Sequence, residues 1–226
     1  MNRFENINMI NCGGMNCYIL RCMSGDVLID TGAEYFRDEI ETWLLNYSVK
    51  LIVLTSGTGM NTQNAQYFSE LYNAPIAVSE HDAPLLSGKT APKMYRTNSI
   101  AAAAEKLGIH KNRDDRPITE ADIILSDGMR LCDTDADVYM TSQAIGLDGH
   151  TRGTIGILDG TDLYCGDALS NVIKIGWPSY CQSPAAAKRT MKKIAALAPE
   201  RIFFGFGEPV VKGDKAYNDF MNAYGV

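Results

Sequence analysis

Apolar residues fall into short strand-length runs that alternate with helical stripes, the pattern of a mixed α/β chain. Residues 15–31 hold two such runs, Cys17-Tyr18-Ile19-Leu20 and Val27-Leu28-Ile29. They are joined around the turn-type cluster Ser24-Gly25-Asp26, which predicts two strands and a tight connection. Between residues 34 and 47, Phe36, Ile40, Trp43, Leu44 and Tyr47 recur at helical spacing, so one face of this helix should lie on a sheet. Leu51-Ile52-Val53-Leu54-Thr55 reads as a strand, 61–72 as a helix and 75–79 as another strand. Short strands follow near 123–125, 138–141, 145–147, 154–158 and 162–165, with Asp127-Gly128 and Asp159-Gly160 as turn signals. Ser183 can cap a helix that begins at Pro184 and runs to about Leu197. A last strand spans 201–204, and residues 215–224 make an amphipathic closing helix.

One stretch breaks this rhythm. From 89 to 118 the composition turns polar and basic around an Ala-rich helical segment, 99–107, flanked by Pro92 and Pro117. It reads as an insertion able to cover a cavity mouth. No internal repeat or low-complexity linker divides the rest, so residues 1–226 are expected to form one domain. At 226 residues and 46% hydrophobic content the chain can bury a large core.

Charge and cysteine usage narrow the function classes. A net charge of −6 without any Lys/Arg-dense run argues against a nucleic-acid partner, which needs a basic surface. No apolar run approaches the roughly 20 residues that cross a bilayer, and the start of the chain lacks a signal-peptide core. The expectation is a cytoplasmic protein with neither membrane nor nucleic-acid partner; a homo-oligomer is compatible with the sequence. Six cysteines then read as reduced thiols. Cys12, Cys17 and Cys22 are evenly spaced, but strand alternation sends neighbours to opposite faces, so they read as small buried hydrophobes and not as a metal cluster.

The chemistry concentrates where Leu51-Ile52-Val53-Leu54 runs into Thr55-Ser56-Gly57-Thr58-Gly59-Met60-Asn61, a strand emptying into a Gly-rich loop and then a helix. Other segments keep company with it in a fixed order. These are Asn16-Cys17-Tyr18-Ile19-Leu20, Val27-Leu28-Ile29-Asp30-Thr31-Gly32, Glu80-His81-Asp82, Asp148-Gly149-His150-Thr151, Leu163-Tyr164-Cys165-Gly166-Asp167 and Phe203-Phe204-Gly205-Phe206-Gly207. Together they resemble the metallo-β-lactamase superfamily from about Met15 to Val210. The resemblance implies a four-layer αββα sandwich with a one- or two-metal centre at the strand–loop–helix junction. There the family carries a Thr-His-x-His-x-Asp-His motif, and the four ligand positions are here Ser56, Thr58, Met60 and Asn61. His150 matches the third metal-binding His and Asp167 the bridging Asp, while the last His corresponds to Phe206.

Seven implied ligand positions thus keep two strong donors, His150 and Asp167. Catalytic zinc ordinarily takes three protein ligands, and neutral hydroxyl or amide oxygens substitute poorly for imidazole. No cofactor is therefore expected; zinc or iron held by His150 and Asp167 is the weaker alternative. Without a Lewis acid to lower the pKa of bound water to about 7, the family's hydroxide route has no nucleophile.

Three readings compete for the cleft. In the first, Ser56, Gly57, Thr58, Gly59, Met60, Asn61, His150, Asp167 and Phe206 line a pocket for a small molecule, in a binding protein or pseudoenzyme. In the second, catalysis has become metal-independent, with His150 and Asp167 carrying it and Ser56 as a candidate nucleophile. In the third, Met60 and Phe206 fill a collapsed site, and the protein serves only as a partner or subunit. A hydrolase of esters, thioesters or lactones is the alternative that the resemblance implies. Deliberate removal of the ligands from such an enzyme would leave the same pattern. Asp30 is expected to order loops by accepting backbone N–H bonds, and Tyr95, Arg96, Arg152, Lys174 and Trp177 to stand at the rim. His81 and His110 read as surface or loop histidines.

Overall fold

The computed structural model describes residues 7–97 and 118–225. Its first sheet takes β1 (Asn8–Cys12), β2 (Met15–Leu20), β3 (Asp26–Ile29), β4 (Val49–Val53) and β5 (Ile76–Ser79). After the two-residue β6 (Tyr95–Arg96) comes the sheet's last strand, β7 (Ile123–Leu125). The second sheet is built from β8 (Gln143–Gly146), β9 (Ile155–Asp159), β10 (Asp162–Gly166), β12 (Arg201–Phe204) and β13 (Val210–Val211), in the order β13-β12-β10-β9-β8. β11 (Tyr180–Cys181) pairs only with β6. The helices are α1 (Arg37–Leu44), α2 (Ala65–Tyr72), the short α3 (Ala83–Leu86), α4 (Pro184–Leu197) and α5 (Lys215–Tyr224).

Strand alternation sorts side chains into layers. Tyr18, Leu20, Leu51 and Val53 face inward to meet Ala144, Ile157, Tyr164 and Phe203 of the second sheet. Their neighbours Cys17, Ile19 and Ile52 face outward against Ile40 and Leu44 of α1 and Phe68 of α2. On the far side, Leu147, Leu163, Ile202 and Phe204 pack under Met191 and Ile194 of α4 and Phe220 of α5. The order helix, sheet, sheet, helix is the αββα sandwich. No helix among the described residues is long and apolar enough to cross a membrane.

Most expected elements lie within two residues of their observed bounds, and Ser183 caps α4 by accepting from Ala186 N at 3.2 Å. β1 was not expected. It closes a hairpin on β2 through Gly13 and Gly14, both at positive φ (65° and 94°), as a two-residue primed turn requires. The strand expected over 138–141 is instead loop: Val138 N donates to Ala136 O at 2.8 Å and Tyr139 N to Ser24 Oγ at 2.9 Å, so these amides are spent away from any ladder. The Ala-rich helix expected at 99–107, and His110, lie outside the described residues. Cys12, Cys17, Cys165 and Cys181 are buried free thiols, whereas Cys22 and Cys132 are half-buried, so burial does not extend to all of the evenly spaced trio. Desolvation pushes the Cys17 thiol well up and the Cys12 thiol to about 11, which makes both poor nucleophiles.

Two residues of β2 tie the sheets together. Asn16, fully buried, donates from Nδ2 to Phe204 O at 3.0 Å and to Gly207 O at 2.8 Å, and Tyr18 OH donates to the same Phe204 O at 2.6 Å. Asn16→Ala strips Gly207 O of this bond and should cost about 2–4 kcal/mol; Tyr18→Phe should cost about 1 kcal/mol, because Phe204 O keeps its Asn16 bond. Urea midpoints at an unchanged m-value check both the size and the order of these losses.

Candidate functional site

The cleft forms where the chain leaves the carboxyl ends of parallel strands, the usual place for a ligand in such sheets. From the first sheet come Asp30 after β3, residues 55–61 after β4, and Asp82 after β5; the second contributes His150 between β8 and β9, Asp167 after β10, and Phe206 after β12. The β10–β12 register shifts between Tyr164 and Gly166, and this irregularity directly precedes Asp167. Gly166 sits at φ +51°, where a Cβ would also collide with the Thr55 side chain, so the turn that presents Asp167 needs glycine.

Each implied ligand position has a definite contact or exposure. Ser56 is fully buried, and its hydroxyl donates to Thr58 O at 3.1 Å. Thr58, Met60 and Phe206 are half-buried and Gly59 is exposed. Asn61, 1% exposed, donates from Nδ2 to Asp167 Oδ2 at 3.0 Å. Its main-chain carbonyl accepts from Thr31 N at 2.7 Å and Thr31 Oγ1 at 2.8 Å. His150 places Nδ1 2.8 Å from Tyr180 O. A carbonyl only accepts, so Nδ1 carries the proton, and in the neutral ring Nε2 carries the lone pair. Nε2 lies 3.7 Å from Asp167 Oδ2 and has no hydrogen-bond partner among the described residues.

This geometry separates the candidate catalytic residues. His150 and Asp167 are brought together. Ser56 is not hydrogen-bonded to the imidazole, so the hydroxyl–imidazole step of a Ser-His-Asp arrangement is not formed. Asp167 also approaches the nitrogen that would have to face the serine, while a backbone carbonyl holds the other.

The residues present do not fit the implied metal centre. Ser56 and Thr58 offer only neutral hydroxyls, and Met60 and Phe206 no strong donor at all. Asn61 turns its N–H edge to Asp167 Oδ2, putting a hydrogen where a shared cation would need lone pairs. Among the described residues no group of three or more His, Cys, Asp or Glu side chains could hold a metal ion.

Two buried carboxylates order the loops. Asp30, in the left-handed region at φ 59°, accepts from Thr55 N at 2.9 Å and from Thr55 Oγ1 at 2.8 Å, the loop-ordering contact expected of it. Asp82, which the sequence offers only as part of the Glu80-His81-Asp82 segment and without a role, is fully buried. It accepts from Gly57 N at 2.8 Å, Gly153 N at 2.9 Å and Thr151 Oγ1 at 2.5 Å, and so binds the Ser56 loop to the His150 loop. The one signal for it was an acid at the start of α3 that does not cap that helix. Asn64 does similar work, donating from Nδ2 to the carbonyls of Thr31, Gly32 and Ala33.

Of the residues expected at the rim, Tyr95, Arg96, Arg152 and Lys174 are exposed and Trp177 is half-buried; His81 is on the surface. β6 pairs with β11, and Thr97 N donates to Ser179 O at 3.1 Å, so the leading part of the 89–118 stretch is stitched beside Tyr180, the anchor of His150. Two cavities lie off the cleft. One, of about 430 Å³, is lined by 21–26 and 45–48; the other, of about 460 Å³, includes His81, Asp127, Asp148, Arg152 and Lys193.

The fold and the cleft at its strand ends define the class: this is the metallo-β-lactamase fold, with most of the implied metal ligands replaced. The B3 metallo-β-lactamase BLEG-1 superposes with a TM-score of 0.70 at 18% identity, over 97% of this chain and 98% of that one. BJP-1, a subclass B3 metallo-β-lactamase of Bradyrhizobium japonicum, gives 0.68 at 19% identity, over 97% and 88%. TTHA1623 in a di-iron-bound form gives 0.62 at 21% identity, over 91% and 93%. No known family's sequence profile matches the chain, and no curated protein matches it either. Identities this low establish the fold and leave the chemistry to the cleft itself.

Burial raises the Asp30 carboxyl from 3.8 to about 7; the charge of Asp167 adds to the rise, and the Thr55 bonds oppose it. The folded value exceeds the unfolded one, so this contribution to stability is full below pH 3.8 and is lost as pH rises through about 7. Wild-type protein should therefore lose more stability between about pH 5 and about pH 8 than Asp30→Asn, as read from urea midpoints. Asp82→Ala should cost about 3 kcal/mol or more, and Asp82→Asn also a large part of that, because both oxygens must accept. A calorimetric or denaturant measurement showing Asp82→Asn neutral would remove this role.

Proposed function

We propose that the chain is a small-molecule-binding protein on a hydrolase-type fold, its cleft working without a metal centre. One observation carries this reading: the Asn61 Nδ2 to Asp167 Oδ2 hydrogen bond of 3.0 Å, in which two implied ligand positions satisfy each other instead of a shared cation. Further support comes from polarity. Ser56, Asn61, His150 and Asp167 are together in a buried cleft, and a site needed only as an apolar plug would not keep them. Residues 1–226 are read as one domain, and the β6–β11 pairing sets the start of the 89–118 stretch beside Tyr180.

Within this reading, metal-independent chemistry falls to His150 Nε2 beside Asp167. An unprotonated ring nitrogen is suited to taking a proton from a bound molecule. A covalent route through Ser56 draws no support, since its hydroxyl donates to Thr58 O. Hydrolysis of an ester, thioester or lactone is favoured only by the likeness to enzymes described as β-lactamases, and it needs a nucleophilic water that these side chains are not equipped to generate through a metal.

Elemental analysis of protein purified without chelators, paired with a native mass spectrum, tests the reading. Far less than one zinc or iron per chain is expected, with a co-purified small molecule as extra mass. One or two equivalents of tightly held metal would sink it. Restoring donors through Ser56→His, Thr58→His, Met60→Asp, Asn61→His and Phe206→His together should recover metal binding in the same assay.

A further inference from the structure

With the His150 ring in its neutral form, the polar atoms left over in the cleft are acceptors. His150 Nε2 and Asn61 Oδ1 are both buried and both lack a hydrogen-bond partner among the described residues. Their side chains converge on one oxygen, Asp167 Oδ2, with Asn61 Nδ2 at 3.0 Å and His150 Nε2 at 3.7 Å. Asn61 Oδ1 belongs to the same amide group that makes the first of these contacts. An ionised carboxylate has about four lone-pair sites, so Asp167 can take another donor whatever else it holds.

We propose that Asp167, His150 Nε2 and Asn61 Oδ1 form a seat for the ammonium group of a small primary amine. This deepens the small-molecule reading above and rests on it. An ammonium carries three N–H donors and no acceptor, which matches three acceptors of which one is charged. Water brings only two hydrogens and no charge. A carboxylate or phosphate head would set acceptors against acceptors. His150 is 8% and Asp167 9% exposed, whereas Asn61 at 1% forms the floor. Met60 and Phe206, half-buried at neighbouring implied ligand positions, suit an apolar chain behind the ammonium better than a second polar head.

The test adds n-butylammonium chloride, n-butanol, sodium butyrate or zinc chloride to the purified chain at constant pH. Imidazole ¹⁵N signals are followed together with the thermal midpoint, and the His150 signal is identified by its loss in His150→Gln. Butylammonium alone should move the His150 Nε2 resonance saturably and raise the midpoint. Asp167→Asn should weaken it roughly tenfold or more, as loss of a charged acceptor requires. Should that variant not fold, Asn61→Leu, close to isosteric, should still weaken the amine several-fold. Equal binding of butanol or butyrate overturns the proposal, and so does saturation by one equivalent of zinc. A cleft that ignores butylammonium but carries a co-purified molecule removes the amine and leaves the small-molecule reading standing. One that ignores every probe and carries no extra mass removes both.

Discussion

Two loops from opposite sheets have to be held at a common cleft, and the Asn61 side chain does this by donating across the gap to Asp167. A metal ion can join such loops through several strong bonds at once. A single amide–carboxylate hydrogen bond contributes far less, on the order of 1.5–3 kcal/mol when the acceptor is charged. The rest of the cleft is built as though to share that burden. Asp82 joins the Ser56 loop to the His150 loop, Asp30 grips Thr55, and Ile155 N donates to Thr55 O at 2.9 Å, so the two sheets also meet through backbone. Every one of these contacts is buried, where water cannot compete for the donors.

The direction of the Asn61 bond has a chemical consequence. By spending its N–H edge on the carboxylate, Asn61 leaves its carbonyl oxygen unmatched; by donating from Nδ1 to Tyr180 O, a neutral His150 ring likewise leaves a lone pair on Nε2. Both choices are fixed by neighbours that can only accept. The cleft is thereby left with acceptor character, and what it can hold follows from that polarity more than from its shape.

The layers and most elements were legible because strand alternation and helical stripes are local. Lys215–Tyr224 and Arg201–Phe204 show it, with each apolar face following from spacing alone. What escaped was non-local. β6, β11 and β13 are two residues long and exist only through pairing, and β1 mixes asparagines with apolar residues along Asn8–Cys12, which blunts its alternation. Residues 138–141 look like a strand, yet their amides are claimed by Ala136 and Ser24, the second of them 115 positions from its partner.

Within the site, sequence order brought His150 and Asp167 into view, since side-chain identity survives at those positions. It could not reveal which ring nitrogen of His150 is used, because the deciding group is a main-chain carbonyl that any residue at 180 would supply. Asp82 was hidden for the complementary reason. An acid ahead of Ala83-Pro84 has the look of an ordinary helix start, and only tertiary packing turns its carboxylate inward to Gly57, Thr151 and Gly153. Retained residue types thus identify the cleft, whereas its hydrogen-bonding polarity is set by backbone groups and buried partners brought from elsewhere in the chain. Where other residues stand at most of the implied ligand positions, that polarity is the part of the site from which a ligand class can be argued.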